Sequence, residues 1–222
     1  MGNILNWTMI KAVIFDLDGL LADTEILHFK AYQKVMADHK IDLDMEQYRD
    51  HWIRQGRTIR EFVKENNLPY DPKVLHEQKV ANYLKLVDTD LKPMPHALET
   101  VEWITQKYKT AVATSSYLVG AGEVLKNLSI YDKFDIICTR DDVTNLKPHP
   151  DIFLLAANKL NVPPGECLVL EDAEKGIEAA YRAGMPSIAI PSEYTKDNNF
   201  AKATVVLKSL DKLTDDILKS HY

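Results

Sequence analysis

An α/β fold, a mainly parallel sheet with one all-helical insertion, is what this 222-residue sequence predicts. Three observations carry the prediction: short apolar runs recur along the chain, helical patterns lie between most of them, and one long early stretch holds helical patterns only. The runs are "AVIF" (Ala12 to Phe15), "TAVAT" (Thr110 to Thr114), "FDIIC" (Phe134 to Cys138), "CLVLE" (Cys167 to Glu171), "SIAI" (Ser187 to Ile190) and "VVL" (Val205 to Leu207). Each is short and apolar, as strands covered on both faces should be.

Between the runs, "HALETVEWITQKY" places Leu98, Val101 and Ile104 on one helical face, and "DIFLLAANKL" gathers Ile152, Leu155 and Ala156. "EKGIEAAYRAG" closes at Gly184, a suitable helix terminator. Alternating strands and helices imply a parallel sheet. From Thr24 to about Leu91 no convincing strand occurs; "HFKAYQKVMADH", "TIREFVKENN" and "VLHEQKVANYLKLV" are helical, interrupted by "NNLPYDP". A structureless connection of that length would be uncommon in a compact domain. The expected organisation is a core built from residues 1–23 and 92–222, with a helical cap at 24–91. Internal repeats and low-complexity tracts are absent from the sequence.

Composition excludes several classes of function. The chain is 45% hydrophobic and 27% charged, enough apolar content for a sizeable core. Its net charge of −6 speaks against nucleic acid as a partner, since phosphate-backbone binding wants a basic face. No apolar stretch approaches membrane-spanning length, the start lacks a signal-peptide pattern, and "MGNILN" has Asn6 where a myristoylation signal needs Ser or Thr. Cys138 and Cys167 sit in apolar runs without a CxxC partner and read as reduced core thiols. The expectation is a cytoplasmic protein, monomer or small homo-oligomer, with no membrane partner. Trp7, Trp52 and Trp103 are assigned to packing.

The chemistry is signalled by "KAVIFDLDGLLADTE", where a buried strand runs into Asp16 and Asp18 and the Asp18-Gly19 turn. By themselves two acids near a turn read equally as a solvated loop or a helix cap. An EF-hand fails, because its glycine and terminal glutamate would fall at Leu21 and Leu27. In a parallel sheet, ligands bind at the carboxyl ends of the strands. There the second run ends in Thr114-Ser115-Ser116 and the fourth in Glu171-Asp172, while "NLKPHPDIF" supplies Lys147 before a helix. The "TSS" run also reads as an N-cap for the helix through Val124.

Carboxylates, a hydroxyl and an ammonium on one rim suit phosphoryl transfer. Hard carboxylate oxygens hold Mg²⁺, one aspartate can attack phosphorus, a second can move the proton of the leaving oxygen, and lysine and hydroxyl offset charge on the transferring oxygens.

In this order the four segments resemble the motifs of the haloacid dehalogenase superfamily, and the resemblance spans Asp16 to Asp172. It implies a Rossmann-like core with Asp16 as nucleophile and Asp18 as general acid and base, the Asp18 backbone carbonyl also meeting Mg²⁺. Thr114 and Lys147 would hold the phosphoryl group; Asp172, with Glu171 nearby, would complete the metal site. The second aspartate disfavours the dehalogenase branch. The insertion is similar to the helical cap of the beta-phosphoglucomutase and sugar-phosphate phosphatase branch, and "DTEILHFKAY" and "KVANY" place His28 and Lys79 where that branch meets its substrate. Ser115 and Arg57 complete the implied substrate contacts. The cap is expected to close over a small phosphorylated metabolite and exclude water.

Three positions depart from the family pattern. Ile59, flanked by Arg57 and Arg60, stands where the mutase cap carries an arginine, which bears on recognition of a second phosphate. Ala173 replaces a serine after the Glu-Asp pair, and Tyr117-Leu118 replace more polar residues. The leading reading is hydrolysis of a small phosphomonoester; phosphate migration within a hexose phosphate and a catalytically idle binding module are the alternatives.

Overall fold

The structure is a computed structural model that describes residues 9–219; Trp7 and the "MGNILN" start lie outside the described residues. It contains two compact units, one of residues up to 22 together with those from 93 onward, the other of residues 23–92.

The first unit is built on six parallel strands: β1 (Ala12–Phe15), β2 (Lys109–Ala113), β3 (Ile136–Cys138), β4 (Cys167–Glu171), β5 (Ser187–Ala189) and β6 (Val205–Val206). Their order is β3-β2-β1-β4-β5-β6. Chain order therefore reverses direction between β1 and β4, and the crevice at such a switch point is where doubly wound sheets bind ligands. Register puts Phe15 opposite both Val112 and Leu170, so the residues just past the ends of β1, β2 and β4 come to one edge.

Both faces of the sheet are covered. On one face Ala12, Ile14, Ala111, Ala113, Cys167 and Val169 form a continuous core with Ile152, Phe153, Ala156, Ala179 and Ala180. Those last five come from α7 (Asp151–Leu160) and α8 (Glu174–Arg182). The alternate residues Val13, Phe15, Val112, Leu168 and Leu170 are equally buried, with the Phe15 ring edge-on to Phe134 at 5.6 Å. The remaining helices of this unit are α5 (Ala97–Thr105), α6 (Leu118–Asn127) and the short α9 (Asp215–Lys219). In α5, Ala97, Thr100, Val101 and Ile104 are buried while Leu98 is only half-buried. The third strand starts two residues later than its apolar run suggests, because a 3-10 turn at Tyr131–Lys133 delivers Phe134 to the core before pairing begins. Cys138 and Cys167 are buried and free, and burial pushes their thiols up to about 11 and about 12.

The second unit is helical throughout: α1 (Glu25–Asp38), α2 (Met45–Tyr48), a π-helical turn (Arg49–Arg54), α3 (Ile59–Glu65) and α4 (Pro72–Asp90). Its core joins Phe29, Tyr32, Val35 and Met36 of α1 to Leu43, Tyr48, Ile59, Val63 and Leu75. Trp52 packs among these aromatics, 4.5 Å from the Tyr32 ring and 5.0 Å from Phe62. The stretch from Met45 to Arg54 carries no clear apolar period, and its helicity rests on this aromatic packing and on an Asp44–Gln47 capping box. Among the described residues no helix is long and apolar enough to cross a membrane.

Candidate active site

Asp16 follows the last residue of β1, and its backbone N–H still donates to Leu170 O of β4 at 2.9 Å, which holds the residue in line with the sheet. Its carboxylate is buried and accepts a 2.5 Å hydrogen bond at Oδ1 from Lys147 Nζ. The same ammonium donates to Glu171 Oε1 and to Ala113 O, each at 2.9 Å. All three Lys147 protons are thus committed, and the Phe153 ring lies 4.7 Å from the nitrogen. Glu171 is satisfied at both oxygens, since Oε2 accepts the Ala173 N–H at 2.7 Å.

Asp18 sits two residues on. Its Oδ2 accepts from Thr114 Oγ1 at 2.9 Å and from Ser116 Oγ at 2.8 Å. The Ser116 N–H in turn donates to Thr114 Oγ1 at 3.0 Å, fixing that hydroxyl. Ser115 is half-buried; the serine that reaches Asp18 is Ser116. The N-cap reading of "TSS" does not hold, because α6 is capped at Tyr117 without a side-chain bond and the Leu118 N–H is taken by Asp141 Oδ2 at 2.8 Å.

Asp172 completes the rim. Its Oδ2 accepts from Ser192 Oγ at 3.0 Å and from Thr195 Oγ1 at 3.2 Å. Gly19, at φ +83°, lies so close that a Cβ there would overlap the Asp172 carboxylate. Gly176 does the same for Glu171. These two glycines let the acids pack against backbone, and the Asp18-Gly19 turn pattern announces only the first.

Electrostatics are unbalanced. The Lys147 ammonium bonds two of the four carboxylates gathered here, those of Asp16 and Glu171, and Asp16, Glu171 and Asp172 are almost wholly buried. Burial is the main cause that raises Asp16 to about 7, against the pull of Lys147. Burial, followed by the charges of Glu171 and Asp16, raises Asp172 well above the usual carboxylate range. For Lys147, burial opposes the charge, but Asp16 and Glu171 outweigh it and hold the ammonium above the ordinary lysine range. Such a site favours a divalent cation. Asp16, Glu171 and Asp172 each offer an oxygen within 4.8 Å of the others, and hard oxygen donors with excess negative charge fit Mg²⁺. Asp16 Oδ2 and Asp172 Oδ1 accept no hydrogen bond from the described residues, whereas both Glu171 oxygens are occupied.

The other expected site residues belong to the helical unit. Lys79 is buried there, its Nζ 2.7 Å from His28 Nδ1 and over the rings of Tyr32 and Tyr83 at 5.1 and 4.8 Å. The His28 ring stacks on Tyr83 at 4.2 Å. A lysine on a long helix reads as a solvated charge, yet this one is held by aromatic faces. Arg57 is ion-paired with Glu65 at 2.8 Å, and Ile59 is part of the unit's core.

A parallel sheet with paired acids and a buried lysine at its switch point belongs to an α/β enzyme of the hydrolase or phosphotransferase class. The chain belongs to the haloacid dehalogenase-like hydrolase family, whose model matches residues 13–190. It is 36% identical over 185 residues to a phosphorylated carbohydrates phosphatase of Thermotoga maritima, covering 81% of this chain and 84% of the relative. The crystal structure of CbbY from Rhodobacter sphaeroides in complex with phosphate superposes with a TM-score of 0.82 at 29% identity, covering 92% of this chain and 96% of that one. A beta-phosphoglucomutase structure from Clostridium difficile matches with a TM-score of 0.79 at 30% identity, over 96% and 97% of the two chains. Membership of the branch that includes beta-phosphoglucomutase and sugar-phosphate phosphatases agrees with the sequence motifs.

Proposed function

We propose that this chain is a Mg²⁺-dependent phosphatase of small phosphomonoesters, with sugar phosphates as the substrate class, acting through an aspartyl-phosphate on Asp16. The observation that carries this reading is the buried Asp16–Lys147–Glu171 set beside an Asp18 held by two hydroxyls. The phosphatase of phosphorylated carbohydrates among its relatives supports the same substrate class.

In the proposed reaction an Asp16 oxygen attacks phosphorus, the ester P–O bond breaks, and protonated Asp18 gives its proton to the departing oxygen. Water then attacks the aspartyl-phosphate, Asp18 takes up its proton, and the bond between phosphorus and Asp16 breaks to free inorganic phosphate. Lys147 keeps Asp16 oriented with one oxygen tied down, and Glu171 keeps Lys147 in place. The Thr114 and Ser116 hydroxyls both donate to Asp18 and hold its carboxylate, and Thr114 is the proposed contact to the phosphoryl group. Mg²⁺, held by Asp16 and Asp172 with the Asp18 backbone carbonyl and with Glu171 nearby, would offset the charge of the phosphoryl oxygens. The helical unit of residues 23–92 is proposed as the cap, with His28, Lys79 and Arg57 as its contacts to the substrate, and Ser115 of the first unit is a further proposed contact.

A phosphomutase is the second reading, favoured by the meeting of His28 and Lys79. Against it stand the engagement of Arg57 by Glu65 and the burial of Ile59, which leave neither as a ready partner for a second phosphate. Phosphorus NMR of the protein with Mg²⁺ and a panel of sugar phosphates, including beta-glucose 1-phosphate with a trace of bisphosphate, separates the two. Inorganic phosphate is expected; migration to another hydroxyl would establish the mutase instead. Asp16→Asn should abolish phosphate release and phosphoenzyme formation, and full activity in that variant would end the reading.

A further inference from the structure

Beyond β5 the chain makes a tight turn, and its two hydroxyl side chains, Ser192 and Thr195, are both buried. Neither was singled out by any motif. The turn is already closed by its own bonds: the Thr195 N–H donates to Ser192 O at 3.2 Å, and the Ser192 N–H donates to Thr195 Oγ1 at 3.0 Å. It is also tied to the start of α8, where the Glu174 N–H donates to Asn198 Oδ1 and the Asn199 N–H to Glu174 Oε2, each at 3.0 Å. The Ser192 hydroxyl lies 3.0 Å from Thr195 Oγ1 within the turn, and both oxygens also reach a single oxygen of Asp172.

Each hydroxyl carries one proton; the two oxygens lie 3.0 Å apart and either can donate to the other, and in the arrangement where neither does, both protons go to the carboxylate. Two donors on Oδ2, with Gly19 packed against the same group, leave the carboxylate one orientation and one available oxygen. Outer groups that fix a ligating carboxylate in this way commonly govern metal affinity. We propose that Ser192 and Thr195 are positioning residues that hold Asp172 by Oδ2 and so present Oδ1 to the divalent cation. This rests on the Mg²⁺ reading of the site given above.

The test is Mg²⁺ titration of metal-stripped protein by calorimetry, run beside the Mg²⁺ dependence of phosphate release. Ser192→Ala with Thr195→Val should weaken Mg²⁺ binding by roughly 10- to 100-fold, the span typical of outer-shell changes. The maximal rate at saturating Mg²⁺ should recover, and Thr195→Ser, which keeps the donor, should bind Mg²⁺ within about two-fold of the parent. Because Thr195→Val also strands the Ser192 N–H, Ser192→Ala alone decides the matter if the double variant does not fold. Unchanged Mg²⁺ affinity in folded Ser192→Ala and in the double variant would overturn the proposal while leaving the metal site intact. A parent protein that binds no Mg²⁺ would overturn the metal reading and the proposal together.

Discussion

Gly176 illustrates how a single residue can be decided by a neighbour's charge. It lies within α8, where glycine costs roughly 1 kcal/mol relative to alanine, so propensity alone favours Gly176→Ala. A Cβ there would overlap Glu171 as far in as its Cγ, and the carboxylate is pinned by Lys147 and by the Ala173 N–H. Overpacking of this kind costs about 1–3 kcal/mol, and a shifted Glu171 also loosens a buried ion pair. The crowding outweighs the propensity. Gly176→Ala should melt at a lower temperature than the parent, and a higher melting temperature would show that Glu171 can yield cheaply. Likewise it is Ser116, in the bend after β2, and not its neighbour that joins Thr114 on Asp18.

At the scale of elements, the helical unit is bounded by legible caps. Thr58 and Glu61 form a capping box at α3, Asp44 and Gln47 another at α2, and Asp71 accepts the Lys73 N–H at the start of α4 with Pro72 in its first turn. Thr58→Ala should therefore destabilise the protein by about 1 kcal/mol, the usual worth of a capping side chain, in denaturant unfolding. A loss indistinguishable from zero would mean that the Thr58 carbonyl, which accepts from His51 Nε2 at 3.0 Å, holds that corner without the cap. In α6 the cap pattern misleads. "TSS" has the composition of an N-cap, but Asp141 of another segment serves the helix end and the hydroxyls are released for Asp18.

For the whole molecule, the governing quantity is the negative charge gathered at the sheet's switch point. A carboxylate raised to about 7 by burial binds its proton more tightly when folded than when unfolded. Between the unfolded value near 4 and the folded value, the native state holds more protons, so its stability falls as pH rises through that window and levels off above it. In the absence of metal, Asp16→Asn should gain stability relative to the parent as pH is raised from 5 to 8, as read by parallel thermal melts. A stability difference that stays constant over that range would show that Asp16 is already ionised at pH 5. The depressed carboxylates, such as Asp142 beside the Thr139 N–H, have the opposite sign and cancel in this comparison because both proteins carry them.

Much of the architecture is written locally. The period and length of the apolar runs determined the strands from β1 to β6, the helical patterns marked the helices between β1 and β2, and the residues that close β1, β2 and β4 supply the polar groups of one sheet edge. Each of those signals is carried by neighbours in the chain, within reach of one helical turn or one strand. Tertiary structure alone decided that Lys147 spends all three protons on Asp16, Glu171 and Ala113, that Lys79 lies buried against His28, and that Ser192 and Thr195 hold Asp172. These partners lie far apart in the chain. They meet because of strand order and helix packing, and no local pattern records which distant residue a buried polar group will find.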